Sequence, residues 1–133
     1  MSAVASTGEV TGDEARDGRQ NRGSGQPIDL GYLRRFTLDN TALEREVLEL
    51  FADQAPLYLA AVRGARHSKA WSEAAHTLKG SARAVGAWRV AAAAEALEAA
   101  GWGAVGEDGP LLREAAEAVA EVRHFIALHC GGI

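Results

Sequence analysis

The sequence predicts an all-α protein, an antiparallel up-down four-helix bundle with a short additional N-terminal helix. Apolar residues recur at helical spacing in four successive segments. Glycine and proline mark the boundaries between those segments, and no run has the alternation or the β-branched density of a strand. Short connections between amphipathic helices make neighbours antiparallel.

Taken in order, residues 1–26 carry almost no large apolar side chain, so they cannot bury enough surface to offset the entropy of ordering and are expected to form a flexible tail. Residues 27–133 are expected to form the domain. Ile28, Leu30, Tyr32, Leu33 and Phe36 suggest a brief helix closing one end, after which Asp39 and Asn40 offer capping side chains. From about Thr41 to Gly64 the expected buried stripe is Leu43, Val47, Leu50, Leu57 and Ala61, flanked by Phe51, Tyr58 and Val62, with a bend at Pro56. Ser68 is expected to cap a second long helix that stops at Gly86. An alanine-rich third helix spans Ala87 to Ala100 and ends at Gly101 and Gly103. Pro110 suits the first position of a fourth, whose stripe is Leu112, Ala115, Val119, Val122 and Ile126.

At 133 residues the chain has room for one ordinary domain. Its net charge of -4 disfavours nucleic acid as the main partner, because binding a phosphate backbone takes clustered positive charge. No apolar run is long enough to cross a bilayer, and the first residues lack the basic start and apolar stretch of a secretory signal, so no membrane role and a cytoplasmic location are expected. The single cysteine, Cys130, precludes an intramolecular disulfide.

The chemistry concentrates on the second long helix. Trp71, Ala75, Leu78, Ala82 and Val85 share one stripe at roughly 100° per residue, which marks the core face. His76, Lys79, Gly80 and Arg83 fall together on another stripe, expected to face water. An exposed imidazole has an ordinary pKa of about 6.5, so it presents an unprotonated nitrogen near neutral pH and is a competent covalent nucleophile. Lys79 and Arg83 could neutralise an anion attached there. Gly80 is costly inside a helix, by about 1 kcal/mol relative to alanine, and its position beside His76 would let a partner's active site approach. Lys69 and Lys79 are the only lysines in an otherwise arginine-based chain, so a lysine next to His76 is a notable placement.

The run Ala75-His76-Thr77-Leu78-Lys79-Gly80-Ser81-Ala82, continued by Gly86-Ala87 and Leu97-Glu98, resembles the signature of histidine-containing phosphotransfer (HPt) domains. The resemblance extends loosely over residues 28–129. It implies a four-helix bundle that relays phosphoryl groups between receiver-domain aspartates in multistep two-component signalling. By that resemblance His76 is the phosphorylated residue, reacting through Nε2, with Lys79 near the phosphoryl oxygens and Gly80 clearing the approach. Members often carry glutamine where Glu98 stands. A carboxylate there could accept from Nδ1–H of the imidazole while also lying near an incoming anion. Trp102 stands where some members have a basic residue. The implied partners are response-regulator receiver domains and a hybrid histidine kinase, with no cofactor of the chain's own and Mg²⁺ on the receiver. No ATP-dependent kinase activity is expected, since the chain has no phosphate-binding glycine-rich loop, and the protein is expected to be a monomer.

Two other readings compete. A pure interaction module would bind receivers or kinases without accepting phosphate. A metal-binding bundle would draw on His67, His76, His124, His129 or Cys130, although no carboxylate–histidine pair recurs as a di-metal bundle needs, and no metal site is expected. A Ser/His/Asp hydrolase finds no supporting arrangement.

Overall fold

The computed structural model describes residues 25–103 and 109–131; the expected tail lies outside them except for Gly25 and Gln26. Five helices follow one another: α1 (Leu30–Thr37), α2 (Thr41–Arg63), α3 (Ser68–Val85), α4 (Trp88–Ala100) and α5 (Pro110–Gly131). Among the described residues there is no strand. Helices α2 to α5 close a ring in which α3 packs on α2 and α4, and α5 packs on α4 and α2, while α1 lies against α2 and α3. This is the antiparallel up-down four-helix bundle with a short additional N-terminal helix.

Each helix starts and stops for a local reason. Asp29 caps α1 by accepting from the Tyr32 N–H at 3.0 Å, and Asn40 caps α2 by accepting from the Leu43 N–H at 3.0 Å. Asp39, the other expected cap, instead sits in a left-handed turn with φ 61°. At α3 the cap is His67, whose Nδ1 accepts from the Ala70 N–H at 3.2 Å, and the expected cap Ser68 is the first helical residue. Gly86 ends α3 in the left-handed conformation, φ 78°, and Gly101 ends α4.

Gly86 is needed twice over. A Cβ there would lie 3.0 Å from the Asp29 carbonyl oxygen and 3.1 Å from the Asp29 Cβ, tighter than most real Cβ contacts, so the Asp29 backbone would have to give way. That approach lets the Asp29 N–H donate to the Gly86 carbonyl at 2.9 Å, while Asp29 Oδ2 accepts from the Trp88 indole at 3.0 Å. One aspartate thus fastens α1 to the turn between α3 and α4.

The stripes on α3 and α5 are buried as expected: Trp71, Ala75, Leu78, Ala82 and Val85 on one, Leu112, Ala115, Val119, Val122 and Ile126 on the other. On α2 the phase differs. The buried residues are Glu44, Leu48, Phe51, Ala55, Leu59 and Val62, whereas Leu43, Leu50, Leu57 and Ala61 of the expected stripe are exposed and Val47 is half-buried. Phe36 on α1 is likewise exposed. Glu44 enters the core because Arg34 Nε reaches its Oε1 at 2.7 Å and His129 Nε2 its Oε2 at 2.8 Å, and both partners lie on other helices. Those hydrogen bonds, Arg34 first, hold the Glu44 carboxyl below its ordinary range.

Pro56 sits within α2 without ending it. Lacking an N–H, it leaves the Ala52 carbonyl without its helical donor. Arg123 of α5 supplies one, its Nε donating to that carbonyl at 3.1 Å, so the defect becomes a tie between helices.

Candidate functional site

The site is assembled from α3 and α4. Burying Ala75 and Leu78 turns the next residues on the wheel outward, and the His76 side chain is 69% exposed. Gly80, one turn later, is exposed, and a Cβ built on it meets nothing within 4 Å, so no packing demand explains a glycine at that place. Arg83, half-exposed, pairs with Glu95 at 3.6 Å.

Lys79 departs from the expectation that the whole stripe faces water. Its side chain is only 16% exposed, because the ammonium lies 2.8 Å from Glu98 Oε1 on α4. The other oxygen of the same carboxylate, Oε2, lies 3.4 Å from His76 Nδ1. Glu98 therefore bridges the imidazole and the lysine, and the Lys79 hydrogen bond is the main cause of a Glu98 carboxyl held below its ordinary range. A carboxylate facing Nδ1 favours the tautomer that carries its proton there. In that tautomer the lone pair falls to the other ring nitrogen, Nε2, of a side chain that is mostly exposed.

Trp102, beyond the end of α4, donates from its indole to the Ala65 carbonyl at 3.1 Å, tying that end to the connection between α2 and α3. Two of the other three histidines do other work. His67 caps α3, and His129 bonds Glu44 and stacks on Phe125 with ring centroids 5.7 Å apart. Cys130 is buried, and that burial pushes its thiol up, away from the reactive thiolate. Among the described residues no three His, Cys, Asp or Glu side chains are grouped to hold a metal ion.

The sequence reading placed Leu50 and Leu57 in the buried stripe of α2, and the structure turns both outward. Leu50 and Leu57 are 55% and 67% exposed. Glu49, Ala52 and Asp53 line a groove against α5, which fixes that flank of α2. At roughly 100° per residue Leu50 and Leu57 fall on the outward side of α2, away from its buried stripe. Since α2 and α3 are antiparallel and joined by residues 64–67, Leu57 and His76 stand at comparable heights along the bundle. The available signal was the seven-residue spacing of Leu43, Leu50 and Leu57, which is out of phase with the Leu48, Phe51, Ala55, Leu59 and Val62 stripe.

Among the described residues no helix is long and apolar enough to cross a membrane. Comparison with curated proteins and with solved structures found no match. A scan against protein families matches the Hpt domain model over residues 46–125, more than half of the chain, a span that includes α3 and α4 with all of the site described above. The chain therefore belongs to the Hpt domain family, the histidine-phosphotransfer modules of two-component phosphorelays.

Proposed function

We propose that His76 is the residue that carries the phosphoryl group, taking it from an aspartyl phosphate on one receiver domain and giving it to an aspartate on another in a multistep relay. The observation that supports this is the outward, mostly exposed imidazole with Nδ1 turned to Glu98. In the forward step the Nε2 lone pair attacks phosphorus while the bond to the aspartyl oxygen breaks and leaves a carboxylate. In-line positioning and charge neutralisation carry most of such a transfer. Lys79, a short side-chain swing away from its Glu98 partner, and Arg83, one turn further, are the cations of this chain that would meet the phosphoryl oxygens. Gly80 leaves room for the receiver's active-site rim.

The receiver is expected to supply the divalent metal, Mg²⁺, that screens the phosphoryl charge; none is assigned to this chain. Docking is assigned to the exposed leucines Leu50 and Leu57 together with the small residues around His76, an apolar centre ringed by charge. The protein acts as a monomer in the cytoplasm, with receiver domains and a hybrid histidine kinase as partners and without kinase activity of its own.

The test is to incubate the chain with a phosphorylated receiver domain and follow the label. Acid-labile label on the wild type and none on His76→Gln is the expected result; equal labelling of both refutes the assignment. A pure docking module would take no label in either form.

A further inference from the structure

We propose, resting on the assignment of His76 above, that Trp102 is a docking anchor: a rigidly displayed aromatic side chain that enters an apolar, carboxylate-edged recess on the receiver domain engaged at His76.

Tryptophan has a large apolar body, and leaving one half in water forgoes much of what its burial would contribute. The other two tryptophans of this chain are buried, Trp71 at 4% and Trp88 at 6%, whereas Trp102 is 49% exposed. The backbone around it shows that this exposure is held in place. Trp102 stands between Gly101 and Gly103, with φ 82° and 90°, in the left-handed region that favours glycine. At Gly101 the accompanying ψ of 162° makes a combination open in practice only to glycine. A Cβ built on either glycine meets nothing within 4 Å, so backbone direction, not crowding, calls for glycine on both sides. The indole N–H donates to the Ala65 carbonyl at 3.1 Å, which restrains the ring before any partner arrives. An aromatic side chain already ordered in the free protein loses little freedom on binding, and tryptophan is frequent among the residues that dominate interface energy.

Its place joins it to the His76 surface. Glu98 Oε2 lies 3.4 Å from the imidazole, and Trp102 follows Glu98 by four residues, about 6 Å along the line of α4. An interface of ordinary size covers about 800 Å² on each partner, a disc of roughly 16 Å radius, so a receiver centred on His76 reaches the indole. The charges on that flank specify the recess. Arg63 and Arg66, both exposed, stand on either side of Ala65 in the chain. Lys69 lies on the His76 stripe seven residues earlier, its ammonium 4.0 Å from Glu73 with both groups mostly in water. So loose and exposed a pair contributes little and leaves the cation available to a partner. An aromatic ring edged by these cations is complementary to an apolar recess edged by carboxylates.

Chain labelled with fluorotryptophan gives one ¹⁹F resonance for each of its three tryptophans, and the receiver's own tryptophans stay silent. Trp102 is marked by its solvent isotope shift between H₂O and D₂O, since Trp71 and Trp88 are buried. On titration with the receiver domain that labels His76, the Trp102 resonance is expected to move and to lose that isotope shift. In the transfer assay Trp102→Ala should raise KM for the receiver about thirtyfold, the cost of truncating an aromatic hot spot, with kcat little changed. A Trp102 that served only to tie α4 to the connection between α2 and α3 would instead lower kcat, through the geometry of His76 and Glu98, and leave KM in place. That split overturns the anchor. So does a Trp102 resonance that a saturating receiver leaves unmoved and still sensitive to D₂O, with His76 remaining the acceptor. A wild type that takes no label from the phosphorylated receiver overturns the assignment of His76 and the anchor with it. Should Trp102→Ala fail to fold, the ¹⁹F titration of the wild type decides alone.

Discussion

Gly80→Ala separates stability from function at a single methyl group. Gly80 lies in the interior of α3, where glycine is worse than alanine by about 0.8–1 kcal/mol. An added Cβ meets no atom within 4 Å, so neither a clash nor a lost packing contact offsets the gain, and the left-handed region is not involved at this position. The variant should be more stable by about 0.5–1 kcal/mol, which for a domain of this size raises Tm by roughly 2–8 °C. It should also transfer phosphate more slowly, because the methyl stands beside His76 where the receiver's rim must pass. A displacement near 1 Å of the reacting atoms costs about a hundredfold, so a fall of about tenfold is expected from a methyl that the interface partly accommodates. Thermal denaturation of the isolated chain and the rate of transfer from a phosphorylated receiver are the two readings. A destabilised variant would mean that a hidden contact explains the glycine. A more stable variant that transfers at the wild-type rate would refute the clearance role and leave the glycine without a functional reason.

Two further perturbations test the framework that holds the site. Gly86→Ala forces a left-handed alanine against the Asp29 backbone and should cost about 2–4 kcal/mol, summing the conformational penalty and the loss of one or two of the Asp29 hydrogen bonds; chemical denaturation with an unchanged midpoint would contradict it. Glu44 is ionised at neutral pH with its carboxyl held below the ordinary 4.5 of the unfolded chain, so its contribution is present above that value and is lost as pH falls through the lower folded one. Acid unfolding of the wild type should therefore steepen below pH 4.5, and Glu44→Gln should flatten that limb while losing about 2 kcal/mol at neutral pH, the worth of its charged hydrogen bonds to Arg34 and His129. An identical acid limb in the two proteins would remove Glu44 from the explanation.

The parts of the fold that could be read from residue order are those decided locally. The stripes of α3 and α5 contain one apolar face each, and Gly86, Gly101 and Pro110 punctuate them without competition. Helix α2 offers two apolar faces, and periodicity cannot choose between them. The one that is buried begins with Glu44, which a hydrophobic pattern rejects, and it is admitted only by Arg34 and His129 from distant parts of the chain. Similarly, His67 rather than Ser68 caps α3 because its ring nitrogen happens to reach the Ala70 N–H, a geometry that residue preferences do not foresee.

The site was more legible than its wiring. His76 and Gly80 stand exposed where the wheel of α3 puts them. That Lys79 is drawn out of water, and that a single carboxylate joins it to the imidazole, depends on the register of α4 against α3, which no local pattern encodes. The same register brings Glu95 to Arg83. An acidic residue at position 98 was visible in the sequence; its double contact was not.

The central claim is tested most directly by locating the phosphoryl group itself. After transfer from a phosphorylated receiver, the chain can be fragmented under conditions that preserve the N–P bond and the phosphorylated peptide sequenced by mass spectrometry. The modification is predicted on His76 and on none of His67, His124 or His129; phosphate on any of those three, with His76 unmodified, would contradict the account.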